Sequence, residues 1–240
     1  MRYELYYWPT IQGRGEFVRL ALEDAGADYE DVGNQADAGI TEISYYLEGQ
    51  ATVRPPFAPP FLKAGETVVS HVANILQFLG PRLALVPDDE QSRLWAHGLQ
   101  LTLTDFVAEI HDVHHPLGAS LYYEDQQAEA RQRAALFLDE RLPKFLGYFE
   151  QVLELNPESE ACLVGVAHSY VDLSLFQVVS GLRYAFPRAM ARHEEAFARV
   201  SELARRVAER PSIAAYLASS RRLPFNESGV FRHYPELDTD

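Results

Sequence analysis

Residues 59–79, PPFLKAGETVVSHVANILQFL, decide the fold. A proline pair leads into Phe61-Leu62-Lys63, Ala64-Gly65-Glu66 supplies a turn, and Thr67-Val68-Val69 runs back. The spacing predicts a β-hairpin, because a Gly-containing turn between two short runs rich in β-branched and aromatic residues joins antiparallel strands. Ser70 stands where a hydroxyl caps a helix, which is predicted to run to about Leu79 before Gly80-Pro81 ends it. The stretch therefore reads β-β-α.

Toward the N-terminus, residues 3–8 (YELYYW) read as a strand ended by Pro9. Phe17, Val18, Ala21, Leu22 and Ala25 recur at helical spacing, and Gly26 stops that helix. Tyr29 to Val32 predict a second strand, and residues 33–58 an irregular segment with one helical stretch around Ile40–Leu47. The order β-α-β, variable segment, β-β-α is that of a thioredoxin-like half-domain. Toward the C-terminus, residues 81–90 (PRLALVPDDE) read as a linker, and beyond it the strand signals stop. Helical patterns cover Leu94 to His115, Gln126 to Leu155 and Tyr170 to Tyr184, with shorter ones at about Arg192–Glu209 and Ser212–Ser219. Pro143 is expected to bend or break the second of these, since it lacks an N–H and its ring crowds the preceding turn. The predicted class is α/β followed by all-α: a thioredoxin-like domain over 1–80, a linker over 81–90, a helical domain over 91–224, and a tail over 225–240 that wraps the surface.

Composition narrows the function. At 240 residues with 47% hydrophobic content, the chain has enough apolar surface for two packed domains. Its net charge of −14 opposes nucleic acid and anionic membrane partners. Cys162 is the single cysteine, so an intrachain disulfide and a Cys-rich metal site are excluded. The N-terminus lacks a signal-like apolar run and no stretch approaches a membrane span, which makes the cytoplasm the expected location.

Leu5-x-Tyr7-Trp8, Gly13-Arg14-Gly15-Glu16 and Arg19-Leu20 closely resemble the start of the tyrosine-type glutathione transferases. The Tyr-Trp pair is similar to the mu class and the Gly-Arg-x-Glu run to sigma, in what looks like a bacterial-type member. Pro60-Phe61-Leu62 with Gly65 is similar to the family's cis-proline strand and hairpin. Ser70, Ile75 and Phe78-Leu79 sit where the family has its glutathione-anchoring helix. Gly165-x-x-x-Ser169-x-x-Asp172 matches the capping box at the head of the family's central buried helix.

The resemblance implies a specific chemistry. Thiols with a pKa of about 8.5 are mostly protonated at neutral pH. A hydroxyl that donates a hydrogen bond to sulfur stabilises the thiolate, and Tyr7 is aligned with that role. Thr10 is a rival hydroxyl, and strand alternation places Tyr6 on the opposite face. The resemblance further implies glutathione contacts from Trp8, Arg14, Pro59, Pro60, His71 and Val72, and a contact from Asp105 across a homodimer. Two departures stand out. His71-Val72 replaces the Gln-Ser pair that holds the γ-glutamyl carboxylate, leaving the helix dipole and backbone amides. Pro59 has no N–H to offer the peptide if Pro60 is the cis residue, although Pro59 is the other candidate for that bond. The family's Trp and Lys contacts have no counterpart between residues 33 and 56. Arg14 either serves the active-site loop or pairs with Glu16 and Asp24.

His111-Asp112-x-His114-His115 is the one metal-like pattern, with His111 and His115 sharing a helix face. Pro116 follows at once and no distant Cys/His cluster completes a shell, so no metal is expected. These side chains are instead read as lining an electrophile pocket, with Trp8, Pro9, Ile11, Tyr122 and, from the tail, Phe231. The sequence thus predicts a glutathione transferase, with glutathione as co-substrate and a small hydrophobic electrophile as partner. The alternatives are another glutathione-dependent activity (isomerase, peroxidase or dehalogenase) and a non-enzymatic or regulatory protein on the same scaffold.

Overall fold

A computed structural model describes residues 1–34 and 38–238; residues 35–37 of the irregular segment and 239–240 of the tail lie outside the described residues. Strand β1 (Tyr3–Tyr6) pairs in parallel with β2 (Tyr29–Asp31) and antiparallel with β3 (Phe61–Ala64). Strand β4 (Thr67–Ser70) closes the hairpin onto β3, giving the order β2-β1-β3-β4. Helices α1 (Gly15–Asp24) and α3 (Val72–Leu79) cover one face, where Leu5 and Leu62 pack with Val18, Leu22, Ile75 and Leu79. Helix α2 (Gly39–Leu47) covers the other, where Ile43 and Tyr46 meet Tyr6 and Phe61, whose rings stack at 4.5 Å. Alternation along β1 sends Leu5 and Tyr6 to these opposite faces.

Beyond the sheet the chain is helical. Asp89 caps α4 (Glu90–His114), its Oδ1 accepting from the Ser92 N–H at 2.8 Å. The pattern predicted as one helix over Gln126–Leu155 is α5 (Gln127–Leu136), a π-helical turn over Phe137–Arg141, and α6 (Leu142–Leu155). Pro143 follows directly on the π-helical turn, and that widened turn accommodates its ring and missing N–H. Helix α7 (Tyr170–Ala185) is buried along almost its whole length. The pattern predicted over Arg192–Glu209 divides into the end of α8 (Pro187–His193) and α9 (Ala198–Ala208); α10 (Pro211–Leu217) follows. Ser70 does not cap α3: it ends β4, and His71 takes the N-cap position without a side-chain bond.

The two halves share a core. Phe17, Leu20 and Ala21 of α1 and Val72 and Leu76 of α3 pack into the apolar cluster built on α4, α6 and α7. Polar links run alongside. Asp24 accepts from Arg210 Nε and Nη2 at 2.7 and 2.9 Å, and Glu16 accepts from the Tyr216 hydroxyl at 2.6 Å. The tail does not merely wrap the surface. Phe231 is buried against Gly181 of α7, where a Cβ would lie 2.3 Å from the ring. Asp238 accepts from the Arg188 and Ala189 amides at the start of α8.

Candidate active site

A cavity of about 290 Å³ lies between the two halves. One wall is Pro59-Pro60 and the segment Ser70-His71-Val72 at the start of α3; the other is the α4 face carrying Gln100, Leu103, Thr104 and Val107. Arg14, Phe17 and Phe57 complete the lining. The α4 residues recur at i, i+3, i+4 and i+7, so one helical stripe faces the cleft. The Pro59-Pro60 bond is cis, which assigns Pro60 as the cis residue. The Pro60 carbonyl accepts from the His71 N–H at 3.3 Å and ties this loop to α3. His71 itself has φ 74° and ψ 128°, a conformation that costs a non-glycine residue on the order of 1–3 kcal/mol. Such strain persists only where surrounding structure fixes it, here at the N-terminal end of α3, where His71 and Val72 line the cleft.

Tyr7 follows β1 and is buried. Its hydroxyl oxygen accepts the Arg14 backbone N–H at 2.8 Å, which leaves the phenolic proton free to be donated. The ring has no room for side chains around it: a Cβ on Gly13 would lie 2.1 Å from the hydroxyl and one on Gly15 2.6 Å from the ring. Gly13 also has φ 45°, which glycine adopts without a Cβ penalty. Burial pushes the phenol above its ordinary pKa, opposed by the Arg14 N–H and by the charges of Arg14 and Arg19. It is therefore a neutral hydrogen-bond donor at physiological pH. Tyr7 does not line the 290 Å³ cavity; its hydroxyl sits one hydrogen bond behind Arg14, which does.

Arg19, fully buried, is fixed by Asp31 at 2.7 Å and Glu16 at 3.2 Å, with its guanidinium 5.8 Å from the Tyr7 ring centroid. Glu16 and Asp24, the two carboxylates proposed as partners of Arg14, are taken by Arg19, Arg222 and Tyr216, and by Arg210 and His168. Arg14 thus keeps its side chain for the cleft. Gln12, two residues before it, receives a hydrogen bond from Gln177 of α7 at 2.8 Å and donates to the Leu223 carbonyl, so the loop before α1 is clamped from both sides.

The residues expected to form the electrophile pocket are not brought together by the cavity. Trp8 is exposed, Pro9 and Ile11 are half-buried, and Tyr122 is 78% exposed. Phe231 is a core residue, because Gly181 opens a space on α7 that its ring fills. His111, His114 and His115 do cluster, with ring centroids 4.8–5.1 Å apart. His114 Nε2 lies 2.8 Å from the Val230 carbonyl, an acceptor only, so Nε2 carries the proton. Burial holds His111 at about 4 and His114 at about 3, so both are neutral. Among the described residues no group of three His, Cys, Asp or Glu is arranged to hold a metal ion, and no helix is long and apolar enough to cross a membrane. Asp105 is exposed on α4.

Sequence reasoning missed Gln100, Thr104 and Phe57 as cleft residues. Gln100 and Thr104 carried a signal, since both are polar positions on the buried stripe of an amphipathic helix.

Fold and cleft together define a two-domain protein, thioredoxin-like and then helical, with the architecture of the glutathione S-transferases. Residues 111–220 match the family model of the glutathione S-transferase C-terminal domain. The chain is 25% identical over 231 residues to "Glutathione S-transferase P" of Bos taurus, spanning 95% of this chain and 98% of that one. It is 24% identical over 193 residues to a glutathione S-transferase of Plasmodium falciparum, spanning 78% and 82%. Among solved structures, the Pi-class glutathione S-transferase of Onchocerca volvulus superposes with a TM-score of 0.72 at 20% identity, over 95% of this chain and 99% of that one. The structure titled prostaglandin synthase D of Nilaparvata lugens does so at 0.71 and 19%, over 93% and 100%. The glutathione S-transferases among these relatives are described as of P type or Pi class, or as from Plasmodium, and none is described as mu or sigma.

Proposed function

We propose that the chain binds glutathione in the interdomain cleft and transfers its thiolate to a small hydrophobic electrophile, with Tyr7 as the hydrogen-bond donor to sulfur. The single observation that carries this reading is the Tyr7 hydroxyl. It takes the Arg14 backbone N–H, stays protonated because it is buried, and so stands one hydrogen bond from the backbone of a residue that lines the cleft. The helix α3 amides and the Arg14 cation supply the positive end that an anionic peptide needs. The cis Pro59-Pro60 pair lines the same cavity. In the reaction the glutathione sulfur supplies an electron pair to the electrophilic carbon and a C–S bond forms. A leaving group departs with its own pair, or the adduct takes up a proton. Tyr7 lowers the barrier by holding the sulfur as thiolate; a downward shift of two pKa units corresponds to about 2.7 kcal/mol.

Tyr7→Phe tests it. Conjugation should fall at least 30-fold while the affinity for glutathione changes little and the unpaired Arg14 N–H costs about 1–2 kcal/mol of stability; unchanged turnover refutes the role. A second reading, a glutathione-binding protein without transfer, is favoured by the close packing of Gly13 and Gly15 around Tyr7 and by Pro59, which has no N–H for the peptide. Calorimetric binding of glutathione without turnover over a panel of electrophiles would select it. Isomerase, peroxidase or dehalogenase activity would use the same anchor and would appear in that panel. We further propose a homodimer, in which Asp105 reaches the neighbour's peptide.

A further inference from the structure

Residues 7–14 connect β1 to α1 and bring the Arg14 N–H onto the Tyr7 hydroxyl. The path turns through two left-handed positions, Thr10 at φ 65° and Gly13 at φ 45°. A backbone of this kind keeps its shape only where other groups fix it. Gln12 lies between the two and is buried. Its backbone carbonyl accepts the Glu16 N–H at 3.1 Å and Arg19 Nη1 at 3.2 Å. Its side chain belongs to a run of three hydrogen bonds. Arg222 Nη2 donates to Gln177 Oε1 at 3.0 Å, Gln177 Nε2 donates to Gln12 Oε1 at 2.8 Å, and Gln12 Nε2 donates to the Leu223 carbonyl. A guanidinium only donates and a carbonyl only accepts, so the two ends fix the orientation of both carboxamides. The bonds run in one sense from a cation, and each polarises the next. Gln177 is itself fully buried in the middle of α7. The most rigidly enclosed helix of the molecule thus grips the loop two residues before Arg14.

From this arrangement we infer that Gln177 is a positioning residue: through Gln12 it holds the Arg14 amide against the Tyr7 hydroxyl and so strengthens that hydroxyl as a donor to sulfur. The inference rests on the glutathione reading of Tyr7. The Arg14 N–H supports negative charge on the phenolic oxygen, so a loop that drifts leaves a weaker donor and a more basic thiol. The charged groups that act on Tyr7 are Arg14 and Arg19, and a substitution at position 177 alters neither.

The test is titration of bound glutathione by thiolate absorbance, with kcat/KM followed against pH, in wild type, Gln177→Met, Tyr7→Phe, the double variant and Arg210→Ala. Gln177→Met keeps the length of the side chain and removes its hydrogen bonds, while Arg222 stays paired with Glu16. Its thiol midpoint should rise by about one pH unit and kcat/KM below that midpoint should fall about tenfold, with KM for glutathione changed by less than about threefold. On the Tyr7→Phe background Gln177→Met should add no further shift, because the effect passes through the phenol. Arg210→Ala loosens the same two halves without touching the loop, and should leave the midpoint in place. An unmoved midpoint in Gln177→Met, a shift that persists without the phenol, or an equal shift in Arg210→Ala overturns the inference and leaves the glutathione reading standing. If Gln177→Met does not fold, Gln12→Met cuts the same run of bonds from the loop side and decides by the same criteria. Failure of wild type to bind glutathione at millimolar concentration, or a bound thiol that Tyr7→Phe leaves unmoved, overturns both.

Discussion

Gly13 is where the backbone and the proposed donor meet, and its hydrogen atoms are what the Tyr7 hydroxyl can tolerate. Gly13→Ala adds a Cβ 2.1 Å from that oxygen at φ 45°. The variant should lose about 2 kcal/mol in urea denaturation. Its bound glutathione should also ionise at higher pH, read from thiolate absorbance, because the Arg14 N–H and the phenol can no longer keep their 2.8 Å contact. The histidine cluster makes a second prediction. His111 and His114 are depressed to about 4 and 3 by burial, and for His111 by the charge of Arg14, with Arg232 acting on both. In the unfolded chain both titrate near 6.5. A depressed histidine contributes stability above its unfolded value and loses it as pH falls toward its folded value. Urea midpoints should therefore decline between pH 6.5 and pH 4, and His114→Gln, which keeps a donor to Val230, should flatten that slope.

At the scale of elements, α7 depends on its first turn. Asp172 Oδ2 accepts the Ser169 N–H and hydroxyl, each at 2.7 Å, and Oδ1 accepts the Leu163 N–H at 2.9 Å. The carboxylate thus closes the capping box and pins the loop that leads into the most buried helix. Asp172→Ala leaves buried donors unpaired, and should cost about 3 kcal/mol or more without changing glutathione affinity in the folded fraction. Equilibrium denaturation followed by tryptophan fluorescence checks it. The π turn before Pro143 shows the same economy: one widened turn lets a proline sit in what the apolar pattern describes as a continuous helix.

The molecule as a whole is held across its two halves by α1. Asp24, nearly inaccessible, would be raised by burial but is held well below the usual carboxylate range by the His168 ring, 3.4 Å away, and by hydrogen bonds from Arg210. Arg210→Ala should lower global stability by about 1–2 kcal/mol, a modest figure because the arginine is partly solvated. Beyond the single chain, Phe57 is 102% exposed on the loop before β3, and Leu94, Trp95 and Leu101 are exposed on α4. These are side chains that the proposed homodimer would cover. For the proposed homodimer, sedimentation should give a dimer in wild type and a monomer in Phe57→Asp; a wild-type monomer at micromolar concentration would remove that proposal and the cross-dimer role of Asp105.

The sequence by itself determined the class of fold, because strand alternation, helical spacing and the punctuation of Gly65, Gly80 and Pro81 are local signals. It also determined the Ser169–Asp172 cap, which spans four residues. Element ends were less legible. Ser70 reads as a cap by type, but the hairpin register commits it to β4, and the cap position falls to a strained His71. Only the tertiary structure decided the site. Arg14 was left with two fates in the sequence, and it is the pairing of Glu16 and Asp24 with residues some 200 positions away that frees it for the cleft. Phe231 reads as a pocket aromatic until Gly181, a gap on a helix 50 residues earlier, takes its ring into the core. Gln100 becomes a cleft residue only when α4 is laid against α3. Local propensity travels along the chain, whereas burial and partner choice depend on which distant elements share a face, and that is fixed by packing.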